Sequence, residues 1–235
     1  MAKITCFGEV LWDVFPTHEK IGGAPLNVAL RLKSFNHEVA MISAIGNDGY
    51  GKTLLDYISE NGVVTDYIQV HPTLQTGKVQ VTLNEKGSAS YEISYPCAWD
   101  KIVMNEKLKD LVANSEAFVF GSLVARDAVS KDTLFQLLEV SSYNVFDLNL
   151  RAPHYTKDLL IHLMNKADFI KFNDDELYEV SGYLGSKYLS MEQNIRFISK
   201  ATNTKHICVT KGNHGAVLFY NHGFYYNSGY LIKVK

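Results

Sequence analysis

Cysteine is scarce in this chain of 235 residues, with three in all, and so is proline, with five. Cys6, Cys97 and Cys208 are odd in number and far apart, and no Cys-x-x-Cys or mixed Cys/His cluster joins them. That argues against a disulfide scaffold and a structural zinc site, and fits reduced, mostly buried thiols in a cytoplasmic protein. The eight histidines include no His-x-x-x-His pair to set two metal ligands on one helix face. A formal net charge of −2 gives no electrostatic footprint for nucleic acid or an anionic membrane surface. No apolar run reaches the ~20 residues of a membrane-spanning helix. The first residues, MAKITCFGEVLWDVF, alternate like a buried strand and lack the basic stretch and apolar core of a signal peptide.

What is present is the material of a folded α/β protein: 46% hydrophobic and 20% charged residues. Strand and helix patterns alternate along most of the chain. Strands are expected at 3–7, 39–45, 117–120, 143–147, 169–172 and 206–210. Helices are expected at 25–35, 51–61, 131–140, 159–166, 174–181 and 191–202. Strands separated by helices argue for a mostly parallel sheet covered on both faces, with ligands beyond the carboxyl ends of its strands. No repeat or Pro/Gly-rich linker divides the chain, so a single domain over 1–235 is expected. One segment breaks the alternation: TGKVQVTL, NEKG and SASYEISY read as a β-hairpin at about 76–98. It is either a flap over a site or an edge hairpin that finishes the sheet.

Six stretches carry candidate chemistry. Residues 46–53, GNDGYGKT, satisfy the pattern of a phosphate-binding loop between a strand and a helix. Asp48 argues against that role, because its carboxylate would face a polyanion; it suits the N-cap of the following helix instead. In GEVLWD and IGGAPLNVA, Asp13 follows a strand, Gly22 and Gly23 allow close backbone approach, and Asn27 offers donor and acceptor. A carboxylate and an amide suit a polyol, although a Gly-Gly turn before a helix explains the same letters. In FDLNLRAPHY, Asp147, Asn149 and Arg151 alternate, and Arg151 suits a carboxylate or phosphate; an Asp–Arg ion pair is the plainer reading. In KFNDDELYEV, Asn173 and Glu176 form a capping box or orient waters around Mg²⁺. VTKGNHGAVLF makes a tight Gly loop for a nucleotide, or a hairpin.

Together and in this order, GEVLWD, GGAPLNVA, AIGNDGYGK, the TGKVQVTL…YEISYPCAWD hairpin, DLNLR, NDDE and TKGNHGAV resemble the ribokinase-like (PfkB) family of carbohydrate kinases, most of all bacterial fructokinases. The resemblance implies a ribokinase-like α/β fold with a small β-hairpin lid, and an ATP- and Mg²⁺-dependent cytoplasmic kinase of a small sugar. Asp13, Gly22, Gly23 and Asn27 would bind the sugar, with Tyr91, Ile93 and Tyr95 of the lid closing over it. Arg151 would contact substrate or the transferring phosphate, Asn173 and Glu176 would place hydrated Mg²⁺, and Thr210, Gly212 and Gly215 would line the nucleotide loop. Family lids often pair between subunits, so a homodimer through the lid is a further expectation. A 2-keto-3-deoxygluconate kinase or a ribokinase-type enzyme is the alternative.

The family's second signature, a Gly-Ala-Gly-Asp segment that supplies the general base and an anion hole, does not occur before Lys235. The expectation is a C-terminally incomplete domain whose base lies beyond Lys235. A base contributes ~10²–10⁴-fold and each anion-stabilising donor ~10²–10³-fold. Residues 1–235 alone should then be nearly inactive, or a non-catalytic sugar- or nucleotide-binding fragment.

Overall fold

The computed structural model describes residues 1–83 and 89–230, apart from the side chains of residues 83 and 89–91. The NEKG loop, the side chain of Tyr91 and residues 231–235 thus lie outside the described residues. The chain gathers into two compact units, Met1–Ser142 and Tyr143–Lys235.

The first unit runs β1 (Lys3–Phe7), β2 (Leu11–Val14), β3 (Glu19–Gly22), α1 (Ala24–Ser34), β4 (Glu38–Gly46), α2 (Gly49–Glu60), β5 (Ile68–His71), β6 (Gly77–Leu83), β7 (Ala89–Ile93), α3 (Glu106–Ala113), β8 (Ala117–Gly121) and α4 (Ala128–Leu138). Strands β8, β1, β4 and β5 lie side by side and all parallel. β4 is buried from Val39 to Gly46, as a near-continuous apolar run requires of a strand with parallel neighbours on both edges. Phe7, Phe118 and Phe120 pack beside one another with centroids 5.8–5.9 Å apart, and each is almost wholly buried. Burial of each contributes roughly 1.5–3 kcal/mol.

A second, smaller sheet in this unit has the order β3-β2-β6-β7. β6 and β7 are the hairpin expected from sequence, paired antiparallel, but they form only half of this sheet. The sequence pattern sets Asp13 just after a strand, whereas the structure sets it inside β2. Gly8, at φ 145°, ends β1, and a Cβ there would lie 2.6 Å from the Pro25 ring. The chain therefore turns and begins a new strand. Lys20, Asp13, Val79 and Ile93 form one cross-strand row, so their side chains share a face. Leu11, Val79 and Val81, with Phe15 and Ile93, form the apolar cluster of this smaller sheet.

The second unit runs β9 (Asn144–Asp147), α5 (Lys157–Lys166), β10 (Phe169–Asn173), α6 (Asp174–Tyr183), α7 (Met191–Thr202), β11 (His206–Thr210), β12 (Ala216–Tyr220) and β13 (Gly223–Asn227). β9, β10 and β11 are parallel; β12 and β13 add on antiparallel. α7 starts at the Ser190 cap and buries Ile195 and Ile198, the helical spacing read from the sequence. Among the described residues no helix is long and apolar enough to cross a membrane.

Candidate functional site

The two glycines before α1 have separate reasons to be glycine. A Cβ on Gly22 would collide with the carboxylate of Asp13, which rests against the glycine backbone. Gly23 sits at φ 115°, and a Cβ there would collide with the Glu9 carbonyl oxygen. With Pro25 in its first turn, α1 begins at once, and Asn27 stands exposed where its backbone N–H donates to the Gly23 carbonyl at 2.9 Å. The structure thus seats the Asp13 carboxylate against Gly22 at the junction of β2 and β3, with Gly23 and Asn27 following at the start of α1. Ile93 shares a cross-strand row with Asp13 in the smaller sheet.

Tyr95 does not join that row. Alternation carries the strand to residue 95, whereas β7 ends at Ile93. The guanidinium of Arg126 donates to the Ser94 carbonyl at 2.5 Å and draws the chain toward the body of the unit, and Pro96 has no N–H with which to continue a ladder. Tyr95 is exposed, 5.1 Å below the Arg126 guanidinium, and its hydroxyl donates to Asp127 Oδ2 at 3.0 Å. Asp127 also caps α4 through the Val129 N–H and accepts from Lys101 at 2.7 and 2.9 Å. Burial raises the pKa of Asp127, but Lys101, the Val129 amide and Tyr95 together hold it below the usual value.

Nor does the GNDGYGKT loop present amides to a phosphate. Asp48 caps α2 by accepting from the Gly51 N–H at 2.7 Å, and it accepts both the N–H and the hydroxyl of Thr76 at 2.8 Å. Burial raises its pKa, yet these bonds and the charge of Lys78 keep it low overall. A Cβ on Gly46 would press on Asp48, Thr76 and Leu74 at 2.5–2.7 Å. Lys52 is exposed on α2.

In the second unit, Asn173 and Glu176 form a complete capping box: Asn173 Oδ1 accepts from the Glu176 N–H and Glu176 Oε2 from the Asn173 N–H, both at 2.8 Å. The other Glu176 oxygen accepts from the Leu150 N–H at 2.9 Å, which ties the DLNLR loop to the start of α6. The alternation read there from sequence stops at Asp147, because Asn149 adopts φ 43°. Asp147 pairs with Lys171 at 2.9 Å rather than with Arg151. Arg151 is exposed and donates to the Leu150 carbonyl. Thr210 ends β11 and donates to the Phe172 carbonyl. Gly212 and Gly215, at φ 54° and 82°, frame the short 3₁₀ turn between β11 and β12, and a Cβ on Gly215 would collide with the Asn227 carbonyl oxygen. Among the described residues no group of three or more His, Cys, Asp or Glu is placed to hold a metal ion directly.

Arg126 is absent from the sequence reading, and its partner Asp100 enters it only as the last letter of YEISYPCAWD, with no role. The guanidinium grips the carboxylate with two bonds, Nε to Oδ1 at 2.7 Å and Nη2 to Oδ2 at 2.8 Å, with side chains 2% and 0% exposed. Twenty-six residues of separation leave no local pattern that could reveal the pair.

Comparison with known proteins identifies the fold and the family. A protein of Arabidopsis thaliana named Probable fructokinase-7 is 25% identical over 201 residues, covering 76% of this chain and 59% of its own length. The fructokinase of Klebsiella pneumoniae is 26% identical, covering 77% of this chain and 63% of its own length. This chain thus spans about three fifths of the length of these relatives. Among solved structures, the fructokinase of Vibrio cholerae O395 in apo form superposes with a TM-score of 0.82 at 22% identity, covering 99% of this chain and 82% of that one. A sugar kinase of Pyrococcus horikoshii in complex with ATP gives 0.83 at 23% identity, covering 98% of this chain and 78% of that one. At such identities the likeness establishes the fold. Residues 1–234 match the family described as pfkB family carbohydrate kinase, and the chain belongs to that family.

Proposed function

We propose that this chain acts in the ATP-dependent phosphorylation of a small sugar, with fructose the first acceptor. The observation that carries the proposal is the Asp13 carboxylate seated on Gly22, with Gly23 next in the chain and Asn27 exposed in the first turn of α1. This is a compact acceptor-and-donor set of the kind a polyol needs. The names of the relatives support it, as does a fructose-, ADP- and potassium-bound form of a Vibrio cholerae fructokinase double mutant, 22% identical with a TM-score of 0.83. Tyr91, Ile93 and Tyr95 belong to the proposal as lid residues, Ile93 through the row it shares with Asp13 and Tyr95 as a support at the lid's base.

On the nucleotide side, Thr210, Gly212 and Gly215 would line the loop that receives ATP, and Arg151 would meet a phosphate or an acidic substrate. Asn173 Oδ1 and each Glu176 oxygen accept one backbone amide and keep a lone pair for a metal-bound water. That oxygen set fits hydrated Mg²⁺, which when bound neutralises charge on the transferring phosphoryl group. In this reading these side chains bind and position, and removal of the hydroxyl proton is assigned to none of them. A cytoplasmic location and a homodimer through the lid complete the proposal; light scattering tests the dimer.

Calorimetric titration with fructose and with ADP, paired with coupled ADP release over fructose, ribose, 2-keto-3-deoxygluconate and adenosine, tests the reading. Saturable fructose binding is expected, and loss of it in Asp13→Ala. A chain that binds neither sugar nor nucleotide would overturn the proposal. The exposed guanidinium of Arg151 favours the acidic keto-sugar as second candidate, and the same panel separates the two.

A further inference from the structure

The GNDGYGK loop has no part in the sugar chemistry above, yet its aspartate is one of the most heavily bonded side chains near the lid. The β6–β7 half of the lid joins the body of the first unit at two roots. At the first, just before β6, Asp48 holds the N–H and hydroxyl of Thr76 at 2.8 Å while capping α2. At the second, just after β7, Arg126 holds the Ser94 carbonyl and is itself clamped by Asp100, which also accepts the Cys97 N–H at 2.9 Å. Trp99 lies between the roots. The Arg126 guanidinium stacks 4.0 Å from its ring, and a Cβ on Gly77 would collide with its indole nitrogen. One backbone bond, from the Ala98 N–H to the Gln75 carbonyl at 2.9 Å, ties the roots together.

We propose that Asp48 and Arg126 are positioning residues that fix the two roots of the β6–β7 hairpin, and so set how its Val79–Ile93 side of the row shared with Asp13 meets a sugar. The inference rests on the sugar-kinase reading for its second half only. Both side chains suit the task for a physical reason. Arg126 makes a bidentate grip plus a third bond from one planar fork, which a lysine does not reproduce. Asp48 is acceptor-only, so all three donors it meets are satisfied; an asparagine would turn an NH₂ group toward one of them. Neither role requires contact with substrate.

The test uses the whole chain and compares Asp48→Asn, Arg126→Lys and the milder Thr76→Val, with Lys52→Ala as control. Hydrogen–deuterium exchange without ligand is expected to speed up about tenfold or more in β6, β7 and residues 94–97, while β10 and β11 are unchanged. Fructose affinity should weaken on the order of tenfold to a hundredfold, with ADP affinity held. Lysine at 126 should rescue neither readout. Unchanged lid exchange in these variants would overturn the proposal. Equal acceleration in both units would overturn it too, since that marks a general loss of stability, as would a loosened lid with fructose affinity intact. An unaltered chain that binds no fructose removes the sugar-kinase reading; the exchange comparison, which needs no ligand, still decides what holds the lid roots.

Discussion

Asp48 shows how one side chain can outweigh a motif. The spacing of GNDGYGKT is that of a phosphate loop, but a carboxylate among the amides repels phosphate, and here it consumes the amides of Gly51 and Thr76 itself. Asp48→Ala should therefore cost ~2–4 kcal/mol in urea unfolding, combining a lost helix cap with orphaned donors at Thr76. Lys52→Ala should stay within ~0.5 kcal/mol and leave ADP affinity unchanged; a large loss of ADP affinity would restore the phosphate-loop reading. Gly22→Ala should be nearly as harmful to sugar binding as loss of Asp13 itself, because the new methyl occupies the place of the Asp13 carboxylate. Titration calorimetry with fructose checks this, and undiminished affinity would remove Asp13 from the sugar site. At this scale the sequence is legible wherever a residue type answers to a backbone need. The cap at 48, the box at 173–176 and the paired glycines at 22–23 all follow from local letters. The Asp100–Arg126 grip does not, since its two halves meet only through the tertiary fold.

Among the elements, legibility follows length and burial. β4 and α7 announce themselves, one as a long apolar run and the other as a spaced helical face with a serine cap. β3 is missed because it is a four-residue strand, too short for alternation to stand out from a loop, and β2 is missed because it runs on from β1 in one alternating stretch whose break at Gly8 the letters do not announce. Without them the smaller sheet reads as a lone hairpin, and Asp13 stands beyond a strand end instead of within β2. The α6 start shows that one box can serve two ends. Glu176 is buried and satisfies amides of both Asn173 and Leu150, so it fixes the helix and the loop bearing Arg151 at once. Glu176→Gln replaces one acceptor oxygen by a donor facing one of those amides. The expected cost is ~1–3 kcal/mol in urea unfolding, together with weaker Mg²⁺-dependent ADP binding. Loss of stability with Mg²⁺-dependent binding unchanged would leave Glu176 a purely structural cap.

For the molecule as a whole, a net charge of −2 leaves little long-range repulsion to shape its response to pH, so individual groups should govern it. Asp48 and Asp127 have folded pKa values below their ordinary ones. Their stabilisation is present above the unfolded value of about 4 and is lost as pH falls through the lower folded values. On the alkaline side the sign reverses. Burial pushes the Cys6 thiol up to about 12 and raises Cys97 and Cys208, while the bond to Glu179 raises the Tyr155 hydroxyl. Keeping these groups neutral stabilises the fold below their unfolded values, about 8.5 for a thiol and about 10 for a tyrosine, and that contribution is lost as pH rises toward the folded ones. Urea midpoints measured under reducing conditions should form a plateau between about pH 5 and 8 and fall on both sides. Asp127→Asn should lower the plateau and flatten the acid limb, because the variant has no carboxylate to protonate there. Cys6→Ala should flatten the alkaline limb. An acid limb unchanged in both Asp127→Asn and Asp48→Asn would mean that other carboxylates control acid unfolding, and that these two capped and clamped groups do not act as the acid-sensitive anchors of the first unit.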